Sequence, residues 1–128
     1  MTLDMRQNVN LSQFSAELLR KINNYVYEVP EEAIGSPMSP KAVADALAEM
    51  RAALIAPYWT TVEIRDTFDQ MGAIDSLRRD CVAVADDGKG IMLLYDPDEK
   101  SFVLAQNGTH GLQTFGVRGD AVGCFLSR

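Results

Sequence analysis

Histidine and cysteine are scarce in this 128-residue chain, which holds one histidine, His110, and two cysteines, Cys81 and Cys124. Zinc needs four ligands, or three plus water, and one histidine with two cysteines 43 positions apart argues against such a site. A Ser-His-Asp device converges in space, so counting alone does not dispose of it. Yet no serine stands in an elbow pattern, and His110 lies in the glycine-flanked loop Asn107-Gly108-Thr109-His110-Gly111. No apolar run approaches the ~20 residues of a membrane span. Met1 to Asn10 is polar rather than a charged, apolar and small leader, so the expected setting is soluble and cytoplasmic. Both thiols are then expected reduced and buried, a secreted staple being the other reading.

Cations are also in deficit. Lys and Arg number 12 against 18 Asp and Glu, a net charge of -6. That excess argues against a general nucleic-acid binder, whose affinity rests on clustered cations, and favours encounter with a basic partner. The charge is spread evenly, with no acidic tail, basic arm or repeat. Hydrophobic residues make up 47% and charged ones 23%, the balance of one globular domain over residues 1–128.

The helical periodicity comes first. Leu11, Phe14, Leu18, Leu19, Ile22 and Val26 recur at helical spacing, with Asn10 as N-cap and Gln13 three residues on. Val29 to Pro40 holds three prolines and a glycine and reads as a loop. Ser39 caps a second helix opened by Pro40 and running to about Ile55, with Val43, Leu47, Met50 and Leu54 as its buried stripe and Pro57 as its stop. Thr60 to Arg79 is ambiguous: Thr60 with Glu63 fits a capping box, whereas Val62 and Ile64 alternate as in a strand. Helix is the favoured reading, with a break at Gly72 and a short turn around Ile74 and Leu77.

After Arg79 the period changes to that of strands. Cys81 to Ala85 is a small, β-compatible run, and Asp86-Asp87-Gly88-Lys89-Gly90 supplies turn chemistry. Ile91 to Tyr95 is apolar on both faces, as a central strand would be. Asp96-Pro97-Asp98-Glu99-Lys100 turns the chain again into Phe102 to Ala105. Two further strands are expected near Leu112 to Val117 and Ala121 to Leu126. The expected fold is α+β, N-terminal helices packed on a bent antiparallel meander.

Ligand motifs fail on inspection. Gly88-Lys89-Gly90 lacks the spacing of a phosphate loop, and no glycine-spaced turn leads from strand to helix. Asp96-Pro97-Asp98 opens like a calcium loop, but Lys100, Ser101 and Asn107 fall on three positions that such a loop needs otherwise. Asn107-Gly108-Thr109 and Arg118-Gly119-Asp120 match glycosylation and integrin-type tripeptides, short patterns without a secretory context. No catalytic, cofactor or metal residue is therefore assigned. The candidates for partner binding are the turn residues Asp86, Asp87, Asp96 and Asp98, with Tyr58 and Trp59 as an aromatic anchor or, equally, as core packing. Whether the acidic turns share one patch depends on the geometry of the sheet.

The run from Cys81 through Asp86-Asp87-Gly88-Lys89-Gly90, Ile91 to Tyr95 and Asp96-Pro97 is similar to the central hairpins of the SUKH superfamily, the Smi/Knr-type proteins. The resemblance spans roughly Ile74 to Ala105. The Leu-Pro and later Asn-Gly-Gly motifs of that family are absent, with Val29-Pro30-Glu31-Glu32 in place of the first. It implies an α+β fold and the role of a bacterial immunity protein that neutralises a polymorphic toxin by occluding it. A basic toxin domain is then the expected protein partner, with no cofactor, nucleic acid or membrane. The alternative is a small acidic chaperone for a secreted effector, and an unrecognised small enzyme stands third.

Overall fold

A computed structural model describes residues 10–27, 38–67, 70, 77–109 and 111–128. The readings placed on the loop at 28–37, on Gly72 and Ile74, and on His110 lie outside them. Asn10 opens a single 3-10 turn, Leu11–Gln13, its Oδ1 accepting from the Ser12 N–H at 3.1 Å. Helix α1 follows as Phe14–Asn23, shorter than the periodicity expected, with Leu18 and Ile22 buried. Helix α2, Pro40–Ala53, begins as the sequence requires: Ser39 Oγ accepts from the Ala42 N–H at 3.1 Å, and Pro40 occupies the first turn. Val43, Met50 and Ala53 are its buried face.

The chain then turns at once into strand β1, Leu54–Ile64. This corrects the helix expected from Thr60 onward. β-branched and aromatic residues, Tyr58 to Val62, outweigh the capping pattern once β2 is there to pair with them. Pro57 does not stop a helix but sits in β1, where the register with β2 shifts between Leu54 and Tyr58. Strands β2 (Leu77–Asp86), β3 (Ile91–Asp96), β4 (Ser101–Gly108) and β5 (Gly111–Gly119) continue as an antiparallel meander. β5 meets β1 in parallel at Gln113 and Glu63, so the bent sheet closes into a five-stranded barrel.

Closure at so few strands demands a thin interior, and the small side chains supply it. Val62, Ile64, Cys81, Ala83, Leu94, Val103 and Ala105 fill the barrel. Register shifts between Ala83 and Ala85 and between Val103 and Ala105 let the strands bend around them. The alternate residues, among them Val82, Val84, Leu93 and Leu104, point outward into a second core against the helices. There they meet Leu18, Ile22, Met50 and Phe125, all essentially inaccessible. Truncating a side chain such as Met50 to alanine should cost about 2–5 kcal/mol.

The final segment is a second correction. Ala121–Leu126 forms a short helix, α3, not a strand. Asp120 N-caps it, Oδ2 accepting from the Gly123 N–H at 2.8 Å. Ala121, Val122, Cys124 and Phe125 are buried, a helical spacing rather than an alternating one. Cys81 and Cys124 are both free and buried. Burial, with Asp96 as the next cause, pushes the Cys81 thiol up to about 12. Burial pushes Cys124 up to about 11. The architecture is α+β, and among the described residues no helix is long and apolar enough to cross a membrane.

Candidate functional site at the ends of strand β3

The acidic turn residues fall into two groups, because the β2–β3 and β3–β4 turns cap opposite ends of β3. Six residues of strand separate them by about 17 Å. At the first end Asp86 is exposed, and its Oδ1 accepts from the Gly88 N–H at 2.9 Å. Gly88 and Gly90 hold φ of 73° and 100°, the left-handed region this turn requires. Asp87 points inward: its Oδ1 accepts from the N–H groups of Lys89 at 2.7 Å and Ile91 at 3.1 Å, and its Oδ2 from Arg128 Nη1 at 3.1 Å. Burial opposes ionisation of Asp87, but those N–H groups and the Arg128 guanidinium outweigh it and hold the carboxyl below its usual range. Arg128 also reaches Glu49 on α2 and lies over the Phe125 ring, 4.3 Å from its centroid.

At the second end Asp96 is fully buried, its position in the chain alternating with the barrel-filling Leu94. Its Oδ2 accepts from Arg79 Nη1 at 2.9 Å and Arg118 Nη1 at 3.0 Å. Its Oδ1 turns the other way and accepts from the N–H groups of Asp98 at 3.0 Å and Glu99 at 3.4 Å. One carboxylate thus joins the charged mouth of the barrel to the backbone of the turn. Arg118 extends the network, donating to Ser101 Oγ at 2.9 Å and to Asp66 Oδ2 from Nη2 at 2.6 Å. Burial disfavours charge on Arg118, yet Asp66 and Asp96 more than compensate and raise its pKa. Arg79 reaches outward to Asp98 at 3.5 Å and Glu99 at 3.6 Å, whose side chains stay 50% and 53% exposed.

The sequence-predicted residues therefore play different parts. Asp98 presents its carboxylate to solvent at one end of β3 and Asp86 at the other, while Asp87 and Asp96 are committed to arginines. Tyr58 is 47% exposed and lies opposite Ala83 on β2; Trp59, opposite Val82, packs against the helix-side core. Sequence reasoning missed Arg79, Arg118, Asp66 and Ser101 as a unit, and it did not name Glu99 among the partner-binding residues. The available signal was alternation: Arg118 shares the face of Leu112 and Thr114 along β5. In the sequence Arg118 stood out only as the first residue of a short integrin-type tripeptide.

Among the described residues no group of three or more His, Cys, Asp or Glu side chains converges to hold a metal ion. No protein-family model, no curated protein and no solved structure matches this chain.

Proposed function

We propose that the chain is a non-enzymatic binding protein, an immunity protein of the SUKH type that acts in the cytoplasm and neutralises a basic toxin domain by covering it. The observation that carries this reading is the way Asp98 and Glu99 are offered to solvent. Both are half exposed, and both backbone N–H groups are gripped by the buried Asp96 carboxylate. Anions on a turn already fixed lose little freedom on binding, so more of the gross attraction survives as affinity. A net charge of -6 adds long-range attraction toward a cationic cleft and speeds encounter. The resemblance of the Cys81 to Pro97 hairpins supplies the class of partner.

The experiment screens the products of the genes flanking this chain's own for a basic toxin domain and asks whether the chain protects growing cells from it. The wild-type chain should restore growth and form a complex with that domain. The double variant Asp98→Asn/Glu99→Gln should protect poorly while unfolding at nearly the same denaturant concentration. Full protection by the double variant, or the absence of any complex with the wild type, would overturn the reading.

A further inference from the structure

The flank of the β3–β4 turn that faces α1 forms a cleft of about 370 Å³. Its floor is aromatic: the ring centroids of Phe14 and Tyr95, and of Tyr95 and Phe102, stand 5.2 Å apart in tilted pairs. Its rim carries Lys21, Lys100 and Glu17. Glu17 is already paired with Arg20 at 3.6 Å, whereas neither lysine forms an ion pair among the described residues. The Lys21 Nζ lies 5.3 Å from the centroid of the Phe102 ring. The Tyr95 hydroxyl also makes no hydrogen bond to a described residue. Lys100 holds a φ of 52°, a left-handed conformation that glycine or asparagine would adopt more readily.

The chemistry of this cleft differs from that of the acidic surface around it. It sets two ammonium groups and a phenol against the single carboxylate of Glu17 and the amides of Asn10 and Gln13, over three mutually tilted rings. That excess of cations over the one carboxylate selects an anion, and the aromatic floor selects an apolar ring behind it. Neither an arginine nor a nest of backbone N–H groups lines the cleft, so the bidentate recognition that suits phosphate is missing. The volume falls within the range of sites for small organic ligands. We infer that this cleft binds a small aromatic carboxylate, its ring against Phe14, Tyr95 and Phe102 and its carboxylate between Lys21 and Lys100. This goes beyond the toxin-binding reading and does not depend on it, since the acidic residues assigned there lie outside the cleft's lining.

The test is a titration of the full-length 15N-labelled chain, followed by NMR, with benzoate and indole-3-acetate. Benzyl alcohol serves as the uncharged ring, and acetate and inorganic phosphate as ring-free anions. Saturable shifts should centre on Phe14, Lys21, Tyr95 and Lys100 for the aromatic carboxylates alone. Lys21→Gln and Lys100→Gln, both at the surface, should each weaken that binding about fivefold, the worth of one solvent-exposed ionic contact. Absence of saturable shifts, equal shifts from acetate or phosphate, or unchanged affinity in both lysine variants would overturn the inference.

Discussion

The two turns that flank β3 both open on aspartate and are built on different physics. Asp86-Asp87-Gly88-Lys89-Gly90 folds on itself: its carboxylates take up the N–H groups of Gly88, Lys89 and Ile91, and two glycines absorb the positive φ. Asp96-Pro97-Asp98-Glu99-Lys100 depends on the rest of the molecule. Its leading carboxylate is held by Arg79 from β2 and Arg118 from β5, and a lysine adopts the left-handed conformation. One turn is mainly local chemistry, tied to distant chain by Arg128, and the other is the visible end of a buried ionic network. An acidic turn residue is therefore no sign of surface charge until its partners are known.

The largest effect that can break this contrast is removal of the Asp96 charge. Asp96→Asn should destabilise the fold by about 3 kcal/mol in urea unfolding, because it strips the shared acceptor from two guanidinium groups at the barrel mouth. Asp86→Asn, on an exposed carboxylate, should stay within about 0.5 kcal/mol. Equal losses would dissolve the distinction between the two ends.

Asp87 stands between those cases, nearly buried but held mainly by its own loop. Asp87→Asn should cost about 1 kcal/mol at neutral pH. Its carboxyl is held below the ordinary ~3.9, so its contribution is fully present above that value and is lost as pH falls through the folded-state pKa. The variant should therefore show a shallower acid-side loss of stability, read from denaturant midpoints between about pH 5 and pH 2. Lys100→Gly probes the second turn more gently. Relief of a left-handed lysine, offset by the freedom glycine gains in the unfolded chain, should leave it stabilised by at most about 1 kcal/mol.

The thiols report the same network at the smallest scale. With Cys81 pushed up to about 12 and Cys124 to about 11, neither should react with a disulfide reagent at pH 8 until the protein unfolds. In Asp96→Asn, Cys81 loses the charge that, after burial, raises its pKa, and should label faster than it does in the wild type.

Much of the fold was legible because local signals and tertiary packing agree. Ser39-Pro40 starts a helix wherever it occurs before an apolar stripe, and Asp87-Gly88 turns a hairpin by its own chemistry. The failures came where a local signal had a long-range competitor. Thr60 and Glu63 offered a capping box, but β2 and β5 on either side of β1 favoured strand, and Glu63 is buried beside Arg65 and Arg78. Ala121 to Leu126 is too short for periodicity to decide unaided, although Asp120 was a readable cap. Of the site, the acidic turns were visible but their arginine partners were not. Arg79 and Asp96 lie 17 residues apart, and Asp96 and Arg118 lie 22 apart, brought together by the successive pairing of β2, β3, β4 and β5.

The central claim is that the Asp98–Glu99 end of β3, and not the Asp86 end, meets the partner. Association of a basic toxin domain found by the screen of flanking genes with three forms of the chain tests it most directly, by stopped flow at low and high salt. Asp98→Asn/Glu99→Gln should slow association about three- to tenfold at low ionic strength, with the difference shrinking as salt screens exposed charge. Asp86→Asn should match the wild type. The reverse pattern, or an association rate unchanged by either variant and by salt, would contradict the account.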